Sequence, residues 1–461
     1  MRKYKYMMAQ FTFYDRTGIQ KMLEKQAEKG WLLDKITNFY WRFRRVEPQK
    51  LHFVVTYFPK ATAFDPGPSE QQLRLQEFCE YAGWIQAGAA SQMQIFYHTA
   101  EDPVPIETDA ALELENIESS AKKNFLPTYF ILLANALVQA VMWIVRLCDD
   151  FTDTVSSNLN LFNGISWTVL LIMGAVELGG YYSWRKKARA AVETDGSFVP
   201  TRGFRGIQVA MFWVLMAALV GVLLTIERKI AVTMVIIMGL LFLMLLMIQA
   251  LTAILKKLKI YAQTNKKVTM ITTVVLSLIL VSVIIYPVFE RADKWFPAEN
   301  VSEYEYNGHT FTSYNDELPL TVQDLVETDC KNYSYYLRES SSLVLGKYSA
   351  SQSPHVGELD APSLQYTVVD VKLPLLYNAC LKDMLHMFDG WYGEDEDGDA
   401  VLVEFREESP EWGADRVFRK YWGDTEQEGL LLCYEERIIY IVFDWGPTAE
   451  QIRIVAEKLA N

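Results

Sequence analysis

IAVTMVIIMGLLFLMLLMIQALTAIL, residues 230–255, carries no charged side chain over 26 positions. Helices packed inside soluble proteins keep a polar stripe, and this run has none on any face. About 20 such residues cross a bilayer as a helix, the form that satisfies every backbone group where lipid offers no partner. Working outward from it, four more apolar runs qualify: 127–148, 161–183, 205–226 and 268–289. Five transmembrane helices are therefore expected within 121–289, and an ordinary soluble enzyme is excluded.

The flanks differ in charge. The 461 residues carry a net charge of −13. From Glu290 onward there are 34 acidic and 14 basic residues, which leaves 23 and 30 before it. An acidic carboxyl end lacks the basic surface that phosphate backbones require, so nucleic acid is not an expected partner. The loops before the first span, after the second and after the fourth hold 13 Lys and Arg, against 5 on the opposite side. The positive-inside rule then predicts a cytoplasmic domain over 1–120 and an extracytoplasmic acidic domain over 290–461, in a multi-pass protein of the cell membrane. The opening MRKYKYMMAQFTFYD has no apolar run behind its basic residues, so no cleavable signal peptide is expected.

Both soluble regions read as α+β. In the first, KYKYMMAQF reads as a strand, Thr17-x-x-Gln20 as a capping box and Gly30 as the end of the helix. WLLDKITNFYWRF and LHFVVTYF follow as two strands. Ser69-x-x-Gln72 caps a second helix that ends at Gly83, and WIQAGAASQMQIFYHT closes the domain as a strand pair or one bent strand. This order, βαββαβ, predicts a ferredoxin-like sandwich. AEKGWLLDKI and EYAGWIQAGA echo each other, and the simplest cause is a capping Gly followed by a Trp that packs back onto its helix.

Several of these stretches also carry a resemblance. Phe13-Tyr14-Asp15, Ala27-Glu28-Lys29-Gly30-Trp31, Tyr81-x-Gly83-Trp84, Gln94-Ile95-Phe96-Tyr97 and Ile106-Glu107-Thr108-Asp109 together resemble the bacterial membrane family carrying domain of unknown function 2812. Tyr314-Asn315-Asp316-Glu317-Leu318-Pro319-Leu320-Thr321 is similar to the outer-domain start of its longer members. The resemblance implies a membrane protein of unknown activity, often encoded beside a PadR-type transcription regulator. It carries over no catalytic residue.

In the acidic region, EYNGHTF reads as an Asn307-Gly308 hairpin and LPLLYNACLKDMLHMF as a helix. VLVEFREE, RVFRKYW, LLLCYEE and RIIYIVFDW read as strands before a helix capped by Thr448-x-x-Gln451. Asp395, Asp397 and Asp399 imitate the start of a calcium loop, but Ala400 stands where the turn Gly belongs and Arg406 where the bidentate Glu belongs, so a solvated loop is expected. Cys330, Cys380 and Cys433 allow one disulfide outside the cell, although buried free thiols are the plainer expectation. No GxSxG, HExxH or GxxxxGK[ST] occurs and the five His are scattered, so neither an enzyme nor a cofactor or metal site is expected.

Few polar residues interrupt the spans. Glu177 is expected to reach the interface or pair with the basic loop at Arg185, since intramembrane acids are otherwise functional. Asn135 and Gln139 share a helix face and are expected to bond between helices, while Ala175 and Gly179 suggest a close small-residue contact. Two soluble domains joined by such spans suggest a sensor or regulatory scaffold with a protein partner in the cytoplasm; a transporter or its accessory subunit is the alternative, with Glu177 its best residue.

Overall fold

Thr37 divides the run WLLDKITNFYWRF into two strands. Its backbone N–H donates to the Tyr40 carbonyl and its hydroxyl accepts from the Tyr40 N–H at 3.0 Å, which closes a hairpin without Gly or Pro. The computed structural model describes residues 3–8, 12–37, 40–285, 300–358, 360–388, 392–394, 400–409 and 413–460. It divides into two compact units, Met1–Gln139 with Ser166–Gly221 and Glu227–Ala292, and Ala140–Ile165 with Val222–Ile226 and Asp293–Asn461.

That extra hairpin changes the topology of the amino-terminal domain. Strand β1 (Tyr4–Met8), helix α1 (Arg16–Glu28), β2 (Trp31–Ile36) and β3 (Tyr40–Arg45) form one βαββ set, and its sheet order is β1-β3-β2. Strand β4 (His52–Tyr57), helix α2 (Glu70–Tyr81), β5 (Ile85–Ala90) and β6 (Met93–His98) form a second set in the equivalent order β4-β6-β5. The single βαββαβ sandwich is thus replaced by two βαββ sets, each with its own three-stranded antiparallel sheet. The echo between Gly30-Trp31 and Gly83-Trp84 marks equivalent places in the two. Both glycines adopt left-handed backbone, with φ of +76° and +84°. Trp84 packs back beside Cys79 and Phe96 as expected, whereas Trp31 is half-buried and flanked by Lys5 and Arg45.

Helix α1 lies inside the domain. Ile19, Leu23 and Ala27 meet Leu33, Trp41 and Phe43 of the first sheet and Phe53, Val55 and Ile95 of the second. Helix α3 (Ala110–Ser120) adds Leu114 and Ile117 to the same core. A short π-helical segment, Ala121–Phe125, then leads into α4 (Leu126–Asp149).

Among the described residues, five helices are long and apolar enough to cross a membrane. They are α4, continuous with α3, then α6 (Asn158–Thr194), α7 (Arg205–Thr225), α8 (Arg228–Lys257) and α9 (Ala262–Ile279), while α5 (Phe151–Val155) is a single turn between α4 and α6. Helix α6 runs well past the expected 161–183, so the basic WRKKARA stretch is helical too. Positions 286–289 of the last expected span lie outside the described residues.

In the second unit, β7 (Val301–Tyr306) and β8 (His309–Tyr314) form the Asn307-Gly308 hairpin, with both turn residues at positive φ. Among the described residues the main sheet has eight strands: β9 (Tyr333–Ser341), β10 (Leu345–Pro354), β11 (Leu364–Val371), β12 (Tyr392–Glu394), β13 (Ala400–Glu408), β14 (Arg416–Trp422), β15 (Thr425–Cys433) and β16 (Arg437–Phe443). They lie in the order β12-β13-β14-β15-β16-β11-β10-β9. Helix α10 (Tyr377–Leu385) covers one face and α11 (Ala449–Leu459) the other. LLLC and IIYIVF are continuous apolar runs because alternate residues enter different cores, Leu430, Leu432 and Ile439 on one face and Leu431, Cys433 and Ile438 on the other.

Gly83 gives a direct test of the capping geometry. An added Cβ would stand 2.5 Å from His98 Nε2 on left-handed backbone. Gly83→Ala should therefore destabilise the detergent-solubilised protein by about 1–2 kcal/mol or more. Gly67→Ala, with open space around it, should be near neutral when both are compared by denaturant unfolding.

Candidate functional site

Asp15 starts α1. Its Oδ1 accepts the Gly18 N–H at 3.1 Å and the Thr201 hydroxyl at 3.2 Å. Thr17, expected to cap the helix, is used elsewhere: its N–H donates to Thr201 Oγ1 at 2.9 Å, and its hydroxyl accepts the Thr201 N–H at 3.0 Å. Gly18 and Gly203 both pack against the Asp15 carboxylate, where an added Cβ would stand 2.2 Å from Oδ2. The connection between α6 and α7 is thereby tied to the first turn of α1.

The residues around Asp15 extend the tie. Tyr14 stacks on Trp184 at 5.5 Å and meets Tyr181 edge-on at 5.3 Å, while Phe13 stacks on Phe125 at 5.6 Å. Each such ring pair adds about 0.5–1.5 kcal/mol beyond its buried area. One turn along α6, Arg189 grips the buried Glu118 of α3 through two bonds of 2.6 Å, and Arg185 adds a third of 2.9 Å.

Arg185 is thus engaged by Glu118, and Glu177 takes a different partner. Its side chain is 6% exposed, and Oε2 accepts from Gln208 of α7 at 3.0 Å. The Tyr129 hydroxyl of α4 also faces this carboxylate. Asn135 is exposed and Gln139 half-buried, and among the described residues neither bonds to Glu177. Ala175 and Gly179 face outward; close packing falls instead on Gly174 against Leu133 and on Gly180 against Tyr14 and Phe204. Sequence spacing finds a small-residue pair but not the helix face that meets a neighbour.

Beside this joint lies a cleft of about 410 Å³, bordered by Arg16, Val54, Ile106, Glu107, Glu113 and Phe198. Arg16 pairs with Glu113 and sits over the Phe198 ring. Burial, and then the neighbouring charge of Glu113, pushes the half-buried Glu107 carboxyl from its ordinary 4.5 up to about 7, with Arg16 pulling the other way.

A second joint lies within the other unit. Asp383 of α10 accepts the N–H groups of Phe151 and Thr152 at 2.8 and 2.9 Å, and the Thr152 hydroxyl at 2.7 Å. These bonds cap α5, whose own preceding residue Asp150 makes no side-chain cap bond. Lys347 pairs with Asp153 at 2.7 Å, and the Ser340 hydroxyl donates to that of Ser156 at 2.9 Å. The connection between α4 and α6 is therefore part of the carboxyl-terminal domain. No sequence motif points to Asp383, because it caps a turn more than 200 residues away.

Asp395, Asp397 and Asp399 lie outside the described residues; the strands on either side of them, β12 and β13, pair antiparallel. His355, isolated in sequence, contacts the Ser313 hydroxyl at 2.9 Å beneath the ring of Tyr304, but Ser313 is buried and offers no accessible nucleophile. All five cysteines are free thiols. Among the described residues, no cluster of three or more His, Cys, Asp or Glu could hold a metal.

Residues 15–130 match the model of the family described as Protein of unknown function (DUF2812). The chain resembles that family. The DUF2812 match runs from Asp15 into α4, so it spans Arg16, Glu107, Glu113, Glu118 and Phe125. No curated protein and no solved structure matches the chain.

The raised Glu107 carboxyl fixes the sign of a pH effect. Its folded form holds a proton that the unfolded chain releases near 4.5, so this contribution to stability is full below 4.5 and is lost as pH rises towards 7. Glu107→Gln should remove that part of the pH dependence. Relative to wild type, the variant should gain stability between pH 5 and pH 8, by about 1–2 kcal/mol once partial exposure is allowed for, in unfolding curves taken across that range.

Proposed function

We propose that the chain is a multi-pass membrane protein acting as a sensor or regulatory scaffold. The carboxyl-terminal domain takes an extracytoplasmic ligand or partner, and the amino-terminal domain presents a surface to a cytoplasmic protein. The observation that carries this reading is the capture of the α4–α6 connection by Asp383. Helix α6 bears Tyr181, Arg185 and Arg189, and the π-helical segment that runs directly into α4 bears Phe125; these residues pack on Tyr14 and Glu118. A change in how Asp383 holds residues 151–152 would thus act on helices built into the amino-terminal core. A ligand drives such a device only through different affinities for its two states.

The uneven loop charges support the sidedness. The family resemblance puts a PadR-type transcription regulator among the candidate partners. No catalytic role is proposed. Transport, or service as a transporter's accessory subunit, is the second reading, and the burial of the Glu177 carboxylate within an apolar helix favours it.

Sidedness is tested by cysteine labelling in intact cells. Cys79, Cys380 and Cys433 are buried, so only Cys148 and Cys330 need replacement first. An impermeant thiol reagent should label a Cys placed at exposed Asp424 and miss one at exposed Arg74. The reverse pattern overturns the orientation. For the mechanism, Asp383→Ala should abolish or lock the transcriptional or growth response at normal membrane abundance, while Glu177→Gln retains it. The opposite pair of results replaces sensing with transport.

A further inference from the structure

A cavity of about 820 Å³ lies in the first unit, where the amino-terminal domain meets the first turns of α4 and α9. Phe13, Trp41 and Met93 give it an apolar wall. Lys123 and Lys266 also line it, and no Asp or Glu does among the described residues. Lys123 donates to the Pro59 carbonyl at 3.1 Å, which uses one of the three donors an ammonium carries.

Three further features suit an anion. Thr12 is 1% exposed, and among the described residues its hydroxyl has no hydrogen-bond partner. Ser91 Oγ is likewise buried and, among the described residues, unpartnered. Ser91 also holds φ of +54°, a left-handed conformation that costs a non-glycine residue about 1–2 kcal/mol. Unsatisfied buried hydroxyls are rare, and strained backbone gathers at ligand sites. Pro127 and Ala262 place the cavity where two apolar helices begin, the depth at which phospholipid headgroups lie.

We propose that this cavity binds the phosphate-bearing headgroup of an anionic phospholipid. Lys123 and Lys266 supply the charge, the Thr12 and Ser91 hydroxyls supply donors, and the apolar wall takes the glycerol and upper acyl carbons. Basic pockets at this depth between membrane helices are suited to such headgroups. The proposal does not depend on the sensor reading.

The test is lipid retention by the full chain, purified from nanodiscs of phosphatidylcholine alone or mixed with phosphatidylglycerol, and read by native mass spectrometry. Wild type should retain phosphatidylglycerol in preference to phosphatidylcholine. The double variant Lys123→Gln/Lys266→Gln should bind it roughly thirtyfold more weakly, about 2 kcal/mol for two charges. Lys186→Gln/Lys187→Gln, on an exposed face of α6, should bind it as wild type does. Ser91→Gly separates site from fold: it should raise the unfolding midpoint by relieving the backbone and still weaken retention. Equal retention of the two lipids, or equal loss in the Lys186/Lys187 control, overturns the proposal. Displacement by inorganic phosphate at matching concentration also overturns it, assigning the cavity to a free anion.

Discussion

Burying a carboxylate is costly unless donors are held in place around it, and Glu118 is where the first unit meets that cost. Two guanidiniums from α6 surround it at 2.6–2.9 Å. Removing one partner of such a group typically costs several kcal/mol, so α6 cannot slide or turn on α3 without stranding charge. That register in turn sets Tyr181 and Trp184 against Tyr14. Tyr14 precedes the residue that caps α1, so the position of the helix inside the amino-terminal core follows from a contact made on α6.

The carboxyl-terminal domain uses a comparable device. A five-residue helix does not persist alone, because nucleation costs more than one turn returns. Asp383 stabilises α5 by accepting its first two N–H groups, and Val155 enters the core that Cys380 and Met384 share with the sheet. The connection between α4 and α6 is thereby an ordered element. Helix α6, the longest among the described residues, is held at Glu118 through charge-assisted bonds as well as apolar contact, and such bonds have discrete made and broken states.

Local signals were legible wherever one residue type answers one local need. Ser69 and Thr448 cap their helices through boxes with Gln72 and Gln451, and Asn307-Gly308 makes its hairpin. Gly30 and Gly83 end their helices on left-handed backbone. The failures are local features overridden from a distance. Thr17 is diverted by Thr201 and Asp15 takes the cap. Strands β9 and β10 carry no sequence signal of their own, because Ser- and Tyr-rich segments such as YSYYLRESS and SASQSP lack an apolar alternation. The turn at Thr37 contains neither Gly nor Pro, so the duplication of the βαββ set stayed hidden behind its one visible echo.

By itself the sequence determined the five apolar helices, the separation of basic and acidic ends and most individual strands and caps. These depend on transfer free energy and on backbone needs that neighbouring residues satisfy. Only the tertiary structure decided the pairing of strands into two equivalent sheets, the partner of Glu177, the clamp at Glu118 and the capture of α5 by Asp383. Each of these joins groups remote in sequence, and a side chain's charge or hydrogen-bonding capacity says what it needs without saying which distant segment will supply it.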